Sequence, residues 1–365
     1  MREYAQRDFR VLIACMWTKI CFLFLVVTTA AAGEWKQLPV GTTASFRGLS
    51  AVSGAVVWAS GTNGTVIRTI DGGQHWDVRV VRGAEKLDFR GIVAFDSRNA
   101  VIISSGNAED GLARIYATSD AGESWRLTFQ TRNKSIFFDG IAFWDRQHGI
   151  VLSDPVEEHF TLFVTSDGGS RWKLLSPETM PTAFQQEGSF AASNSALAVR
   201  GRSEVWFATG GSRVARIFRS TDQGASWRVA ETAVLPKNAS TGIFSLAFVD
   251  ANQGIAVGGD YARPAESSGP NVLVTGDGGV GWQAMSAAKA PEVFLSSVVY
   301  KLAKHCAGPV GLLAGGPQGI FSVDTGGTWK QMSRLNINVL AQPEPGVTWA
   351  VGPQGMVAVA RDLEN

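Results

Sequence analysis

Short apolar runs bounded by glycine and polar residues recur along the chain, and none has a helical period of useful length after residue 32. One set of runs ends in small residues: Val57–Gly61, Val101–Ser105, Ile150–Ser153, Val205–Thr209, Ile255–Gly259, Leu312–Gly316 and Thr348–Gly352. A second set follows each of these within a few residues, as in Gly64–Arg68, Leu112–Ala117, Thr161–Val164, Ala215–Arg219 and Val272–Val274. A third precedes them, in Phe46–Leu49, Phe89–Ile92, Phe138–Ile141 and Ile243–Leu246. All are short and rich in β-branched or aromatic residues, which predicts strands.

Between the second set and the next apolar stretch lies an octapeptide of pattern S/T-x-D-x-G-x-x-W. It occurs six times, with aspartates Asp71, Asp120, Asp167, Asp222, Asp277 and Asp324 and tryptophans Trp76, Trp125, Trp172, Trp227, Trp282 and Trp329. The aspartates are 49, 47, 55, 55 and 47 residues apart, a period expected of a modular repeat. The chemistry of the octapeptide is that of a turn. Its carboxylate can accept backbone N–H groups, its glycine permits positive φ, and its tryptophan opens the next strand as an apolar plate. The repeat accounts for a composition with 41 glycines and 12 tryptophans in 365 residues.

Each unit therefore holds four strands, and Thr348–Gly352 marks a seventh unit. That unit ends at Met356–Ala360 without a fourth strand. Gly33–Leu38, with Trp35-Lys36-Gln37, is similar to Thr328–Met332, with Trp329-Lys330-Gln331, and supplies the missing strand. The expected fold is all-β: a seven-bladed β-propeller of four-stranded antiparallel blades, closed by the N-terminal strand. Closure removes the exposed sheet edges of an open array.

Residues 1–32 read differently. Lys19 precedes the apolar run Ile20–Val27, and Ala30-Ala31-Ala32 offers a small-residue cleavage site, the pattern of a signal peptide that could also start at Met16. The expected organisation is a leader over 1–32 and one propeller over 33–365, exported to a periplasmic or extracellular space, monomeric and with no membrane span after cleavage. Removing the leader takes four basic and two acidic side chains from totals of 33 and 32, leaving a net charge of about −1 and no basic stripe for nucleic acid. Only Cys306 remains, so no internal disulfide is expected, and that thiol reads as a small buried hydrophobe. His75, His148, His159 and His305 lack paired metal spacing, so neither a metal nor a cofactor is expected. Gly276–Gly281 fits a dinucleotide fingerprint but opens a strand, where that chemistry needs a helix.

The octapeptide resembles the Asp-box, or BNR repeat, found in sialidases, xyloglucan-degrading glycosidases and sortilin-type receptors. The mature chain further resembles bacterial proteins related to the plant and cyanobacterial photosystem II stability and assembly factor. The residues that carry this are Phe89–Ile92, Ser153-Asp154-Pro155, Glu187–Ala192 and Ala208–Gly211. That resemblance implies a propeller binding protein partners outside the cytoplasm, with an arginine-rich patch. Here the corresponding slot holds Arg47, Arg90, Asp139 and, in unit five, Phe244, so the charge pattern departs from the relatives.

The octapeptide joins strands three and four at one face, which places the links into strand one and from strand two to three at the other. Candidate binding residues on that opposite face are Arg47, Arg90, Asp139, Asp154, Glu187, Asp260 and Tyr261. Three readings follow. The first is a scaffold for a protein or peptide, its arginines meeting partner carboxylates. The second is a glycosidase binding a glycan, with Asp139, Asp154, Glu187 and Asp260 as candidate acid, base or nucleophile. The third is a purely structural or adhesive propeller.

Overall fold

The computed structural model describes residues 34–361 apart from 177–179, 268, 286–289, 303, 305–307 and 325–326. The leader reading of 1–32, Cys306 and His305 lie outside the described residues. The described chain forms seven four-stranded antiparallel sheets. Blade 1 is Phe46–Ala51, Val57–Gly61, Thr65–Thr69 and Asp77–Val80, each strand pairing with the next. The first strands of blades 2 to 7 are Asp88–Ala94, Phe138–Phe143, Leu197–Arg200, Thr241–Phe248, Ser297–Leu302 and Val339–Glu344. These pack against one another around the axis, including blade 7 against blade 1.

Blade 7 is completed by the N-terminal strand. Trp35–Gln37 pairs antiparallel with Val357–Arg361, setting Trp35 opposite Ala360 and Gln37 opposite Ala358. The expected propeller and its closure are both present.

The octapeptides fold as the turn chemistry requires, with one addition. In the first, Asp71 Oδ1 accepts the N–H of Gln74 and of His75, both at 3.0 Å. The threonine two residues earlier does as much: Thr69 Oγ1 accepts the Gly73 N–H at 2.9 Å and donates to Asp71 Oδ1 at 2.8 Å. The same two bonds recur from Thr118, Thr165, Ser220 and Thr275. Gly73, Gly122, Gly169, Gly224 and Gly279 have φ between +79° and +90°, and the residue before each is also left-handed, even where it is Ala121 or Gln223. Accepting these N–H groups stabilises the charged carboxylate; hydrogen bonds from the Ser124 side chain and backbone hold Asp120 at about 2.

The cores lie between blades. The tryptophans of five turns stand edge-on against an aromatic plate, among them Trp76 against Trp349 of blade 7 and Trp125 against Trp58 of blade 1. Trp282 packs on Phe248, which itself stacks on Trp206 of blade 4. Edge-to-face packing satisfies the ring quadrupoles and adds to a burial term of about 25 cal/mol per Å². The most repeated residues are thus consumed by the framework.

Candidate functional site

The first strands of blades 1, 2, 3 and 5 share a local irregularity. Pairing skips one residue between Phe46 and Gly48, Phe89 and Gly91, Phe138 and Gly140, and Ile243 and Ser245. The skipped residues are Arg47, Arg90, Asp139 and Phe244. A bulge leaves its extra residue out of the ladder and re-aims its side chain. In blades 1 to 3 a glycine follows the skipped residue, and at Gly48 a Cβ would stand 2.3 Å from Ser60 Oγ; in blade 5 the following residue is Ser245. The Phe-x-Gly pattern seen in the sequence is therefore the signature of a bulge that turns one side chain per blade toward the axis.

Those four side chains line one axial cavity of about 510 Å³. Following the ring, blades 1 and 2 contribute Arg47 and Arg90, and blade 3 contributes Asp139 and Phe137. The segment Ser189–Ala192 before blade 4 brings Phe190. Blade 5 brings Phe244 and, past its second strand, Tyr261. Phe294 and Ser296 precede blade 6, Pro317 lies in its second link, and Asn338 precedes blade 7. Of these, Phe137, Ser189, Phe190, Phe294, Ser296, Pro317 and Asn338 were not candidates from sequence. They sit in links outside the repeated octapeptide; of these, Ser189 and Phe190 fall in Glu187–Ala192, a stretch that carried the resemblance to the assembly factors.

The wall is chemically divided. Phe190 and Phe244 stack with centroids 4.0 Å apart, Phe294 meets Phe244 edge-on at 4.7 Å, and Tyr261, 53% exposed, leans over both at the rim. On the other side, Arg90 is held by Asp88 at 2.7 Å. Arg47 has no hydrogen bond or ion pair among the described residues; burial lowers its pKa, the Arg90 charge adds to this, and Asp88 opposes it. Asp139 is 1% exposed, and neither carboxylate oxygen has a hydrogen-bond partner among the described residues. Burial pushes its pKa well above the ordinary carboxylate range, the charge of Asp154 pushes the same way, and Arg90 opposes. An unpaired buried acid of this kind takes up a proton instead of holding an isolated charge.

The remaining candidates lie beside this cavity. Asp154 accepts the Ser189 N–H at 3.0 Å, and burial lifts it to about 6 against that hydrogen bond. Glu187, 4% exposed, is bound into the framework: Arg216 clasps it with two hydrogen bonds, Thr209 Oγ1 donates at 2.6 Å and the Phe184 N–H at 2.8 Å. Asp260 is likewise engaged by Ser240 Oγ at 2.6 Å, Asn238 Nδ2 at 3.0 Å and the Ala262 N–H at 3.0 Å. Burial pulls Asp260 upward, but these donors and Arg263 bring it down to about 2. The structure thus brings Arg47, Arg90, Asp139 and Tyr261 together, sets Asp154 behind them, and gives Glu187 and Asp260 the work of holding links in place. Of the four carboxylates that a glycosidase would draw on, two are committed to structure.

Larger clefts, of about 740 and 710 Å³, open beside the octapeptide turns between blades 3 and 4 and over the closing seam. Of their carboxylates, Asp167 and Asp71 are already bonded by their own turns. Among the described residues no group of three or more His, Cys, Asp or Glu side chains could hold a metal ion, and no helix is long and apolar enough to cross a membrane.

Fold and site together define a seven-bladed β-propeller with an axial pocket that is cationic and acidic on one side and aromatic on the other. No protein-family profile matches the chain. Over 132 residues it is 28% identical to the chloroplastic photosystem II stability/assembly factor HCF136 of Arabidopsis thaliana, and 27% identical to that of Oryza sativa subsp. japonica. Each match covers 34% of this chain and 30% or 29% of the relative, so the chain spans about a third of the length of the curated relatives it matches. Among solved structures, YCF48 bound to D1 peptide superposes with a TM-score of 0.64 at 15% identity, covering 91% of this chain and 99% of that one. YCF48 from Cyanidioschyzon merolae gives 0.61 at 16% identity over 90% and 99% of the two chains. The WD40 propeller domain of Doa1 gives 0.58 at 14%, over 92% and 98%. At these identities the structural likeness speaks for the fold.

Proposed function

We propose that this protein is an exported binding scaffold whose axial pocket takes a segment of a polypeptide partner, in the service of assembling or stabilising a membrane or envelope complex. The observation that carries this reading is the pocket itself. Arg47 and Asp139 reach it without partners, beside an aromatic wall whose outermost ring is exposed. An unpaired buried carboxyl such as that of Asp139 is costly, and a ligand that supplies its partner recovers that cost on binding, while half-buried Arg47 keeps unused donors. Aromatic and arginine side chains in a concave site are also the residue types that dominate binding energy at protein interfaces. The partial likeness to the photosystem II stability/assembly factors, and the likeness in fold to a propeller solved with a bound peptide, support a polypeptide as the occupant. Binding, not catalysis, is the activity this arrangement serves.

A photo-crosslinking residue in place of Tyr261 tests the reading. Crosslinked partner should be recovered from envelope fractions with the native pocket and lost with Arg47→Glu plus Arg90→Glu. Equal recovery from both would remove the arginine-centred pocket as the site.

A further inference from the structure

We propose that the pocket selects a dipolar peptide segment, its basic side chain received by Asp139 against the Phe190–Phe244 pair and its acidic group received by Arg47. This deepens the polypeptide-binding reading and rests on it. The ring order sets the polarity. Arg47 lies in blade 1 and Asp139 in blade 3, with Arg90 between them, and the stacked rings of Phe190 and Phe244 come next. Asp139 is thus the junction between the charged arc and the aromatic arc.

Each feature asks for a different ligand group. Arg47 offers unused donors, the complement of a carboxylate. Asp139 has two acceptor oxygens, both buried and both without partners, while Arg90 is already held by Asp88. The aromatic faces beside it suit the methylenes of a long basic side chain and attract its cation. A uniformly acidic peptide would satisfy Arg47 but leave Asp139 without a basic partner and bring like charge toward Asp154. A uniformly apolar one would leave both Arg47 and Asp139 unpaired.

Proton balance gives a signature. The groups facing Asp139 are Asp154, which favours its proton, and Arg90, which opposes it; Asp88 offsets Arg90, and Arg47 adds positive charge beyond. In the free pocket burial favours the protonated form of Asp139. An incoming ammonium or guanidinium keeps its own protons, and Asp139 releases its proton to solvent as the ion pair forms. Binding of the basic group therefore strengthens as pH rises, by up to about tenfold per pH unit while free Asp139 remains protonated.

The test uses the full chain and a positional-scanning library of acetylated, amidated hexapeptides, read by equilibrium binding. Bound peptides should combine Lys or Arg with Asp or Glu. Replacing that Lys by norleucine should weaken binding by about tenfold in the wild type and not in Asp139→Asn. Replacing the acidic residue by its amide should weaken binding in the wild type and not in Arg47→Gln. Both variants are checked by thermal unfolding, where removal of an unpaired charge-bearing group should leave stability equal or higher. Selection of purely acidic peptides, or lysine discrimination that survives in Asp139→Asn, overturns the proposal while leaving a peptide-binding pocket. No binding of any peptide, with partner crosslinking indifferent to Arg47 and Arg90, overturns both.

Discussion

Asp154 gives the pocket a measurable effect on folding. Burial lifts its pKa from 3.8 to about 6, opposed by the Ser189 N–H at 3.0 Å. The native state therefore holds this proton more tightly than the unfolded chain does. The sign follows: the contribution of this group is full below pH 4, falls as pH rises from about 4 to 6, and is gone above that. A rise of that size corresponds to about 3 kcal/mol, reduced to about 2 kcal/mol by water at the pocket mouth. Asp154→Asn keeps an oxygen for the Ser189 N–H and cannot ionise. It should lie within about 1 kcal/mol of the wild type at pH 4.5 and exceed it by about 2 kcal/mol at pH 7.5. Urea unfolding followed by tryptophan fluorescence at pH 4.5, 6 and 7.5 measures the difference. The opposing groups do not intrude. Asp96 and Asp120 are held at about 2, so their stabilisation is lost only as pH falls below about 4 toward those values. If the two proteins keep a constant difference across the range, the carboxyl is solvated and the buried-acid account of the pocket fails.

Three further outcomes follow from the same geometry. Glu187→Ala strands the buried Arg216 guanidinium and should cost about 3–5 kcal/mol in chemical denaturation, whereas Glu187→Leu with Arg216→Met should recover most of it. Gly210→Ala places a Cβ 2.5 Å from Gly242 Cα and 2.7 Å from the Phe190 ring, so unfolding should show a loss of about 2 kcal/mol or more and crosslinking at the pocket should fall. Deleting residues 33–38 removes the strand paired with Val357–Arg361 and should lower Tm by about 6 °C or more, with early proteolysis of blade 7; an unchanged melt would show that closure adds nothing.

The architecture could be read from the chain because its signals are local and repeated. An acceptor, a glycine and a tryptophan at fixed offsets define the turn wherever they occur, and Trp35-Lys36-Gln37 carries the same local signature as Trp329-Lys330-Gln331. The slot of Arg47, Arg90 and Asp139 was equally legible, since Phe-x-Gly encodes a bulge within one strand. Partnerships across blades were not. Nothing near Glu187 announces that Arg216, 29 residues on, will claim it, or that Asn238 and Ser240 will claim Asp260. An acid in a link is therefore ambiguous in sequence, and only its partners decide whether it holds the fold or faces a ligand. The serine and threonine of the octapeptide were undervalued for a related reason: their bond to the glycine N–H exists only once two consecutive residues turn left-handed.

The axial slot also braces the ring. In blades 6 and 7 its occupants tie the ring together: Ser296 Oγ donates to the Asn338 carbonyl at 2.8 Å, and Asn338 Nδ2 donates to the Phe46 carbonyl at 2.8 Å. Small polar groups close to the slot do the same elsewhere. Ser245 Oγ accepts the Val298 N–H at 3.0 Å, Ser297 Oγ accepts the Leu340 N–H at 3.0 Å, and Asn194 bonds both the N–H and the carbonyl of Ile141. With blades stapled through these positions, the slots of blades 1 to 3 are released from structural duty, and there the chain places Arg47, Arg90 and Asp139. A scaffold that left such groups unpaired without bracing would relax to pair them, because Arg47 and Asp139 share one cavity and a guanidinium donor close to Asp139 would satisfy its carboxyl. The bulges hold them apart and the inter-blade bonds hold the bulges. Pre-organisation of this kind would spare the proposed ligand the cost of ordering these groups.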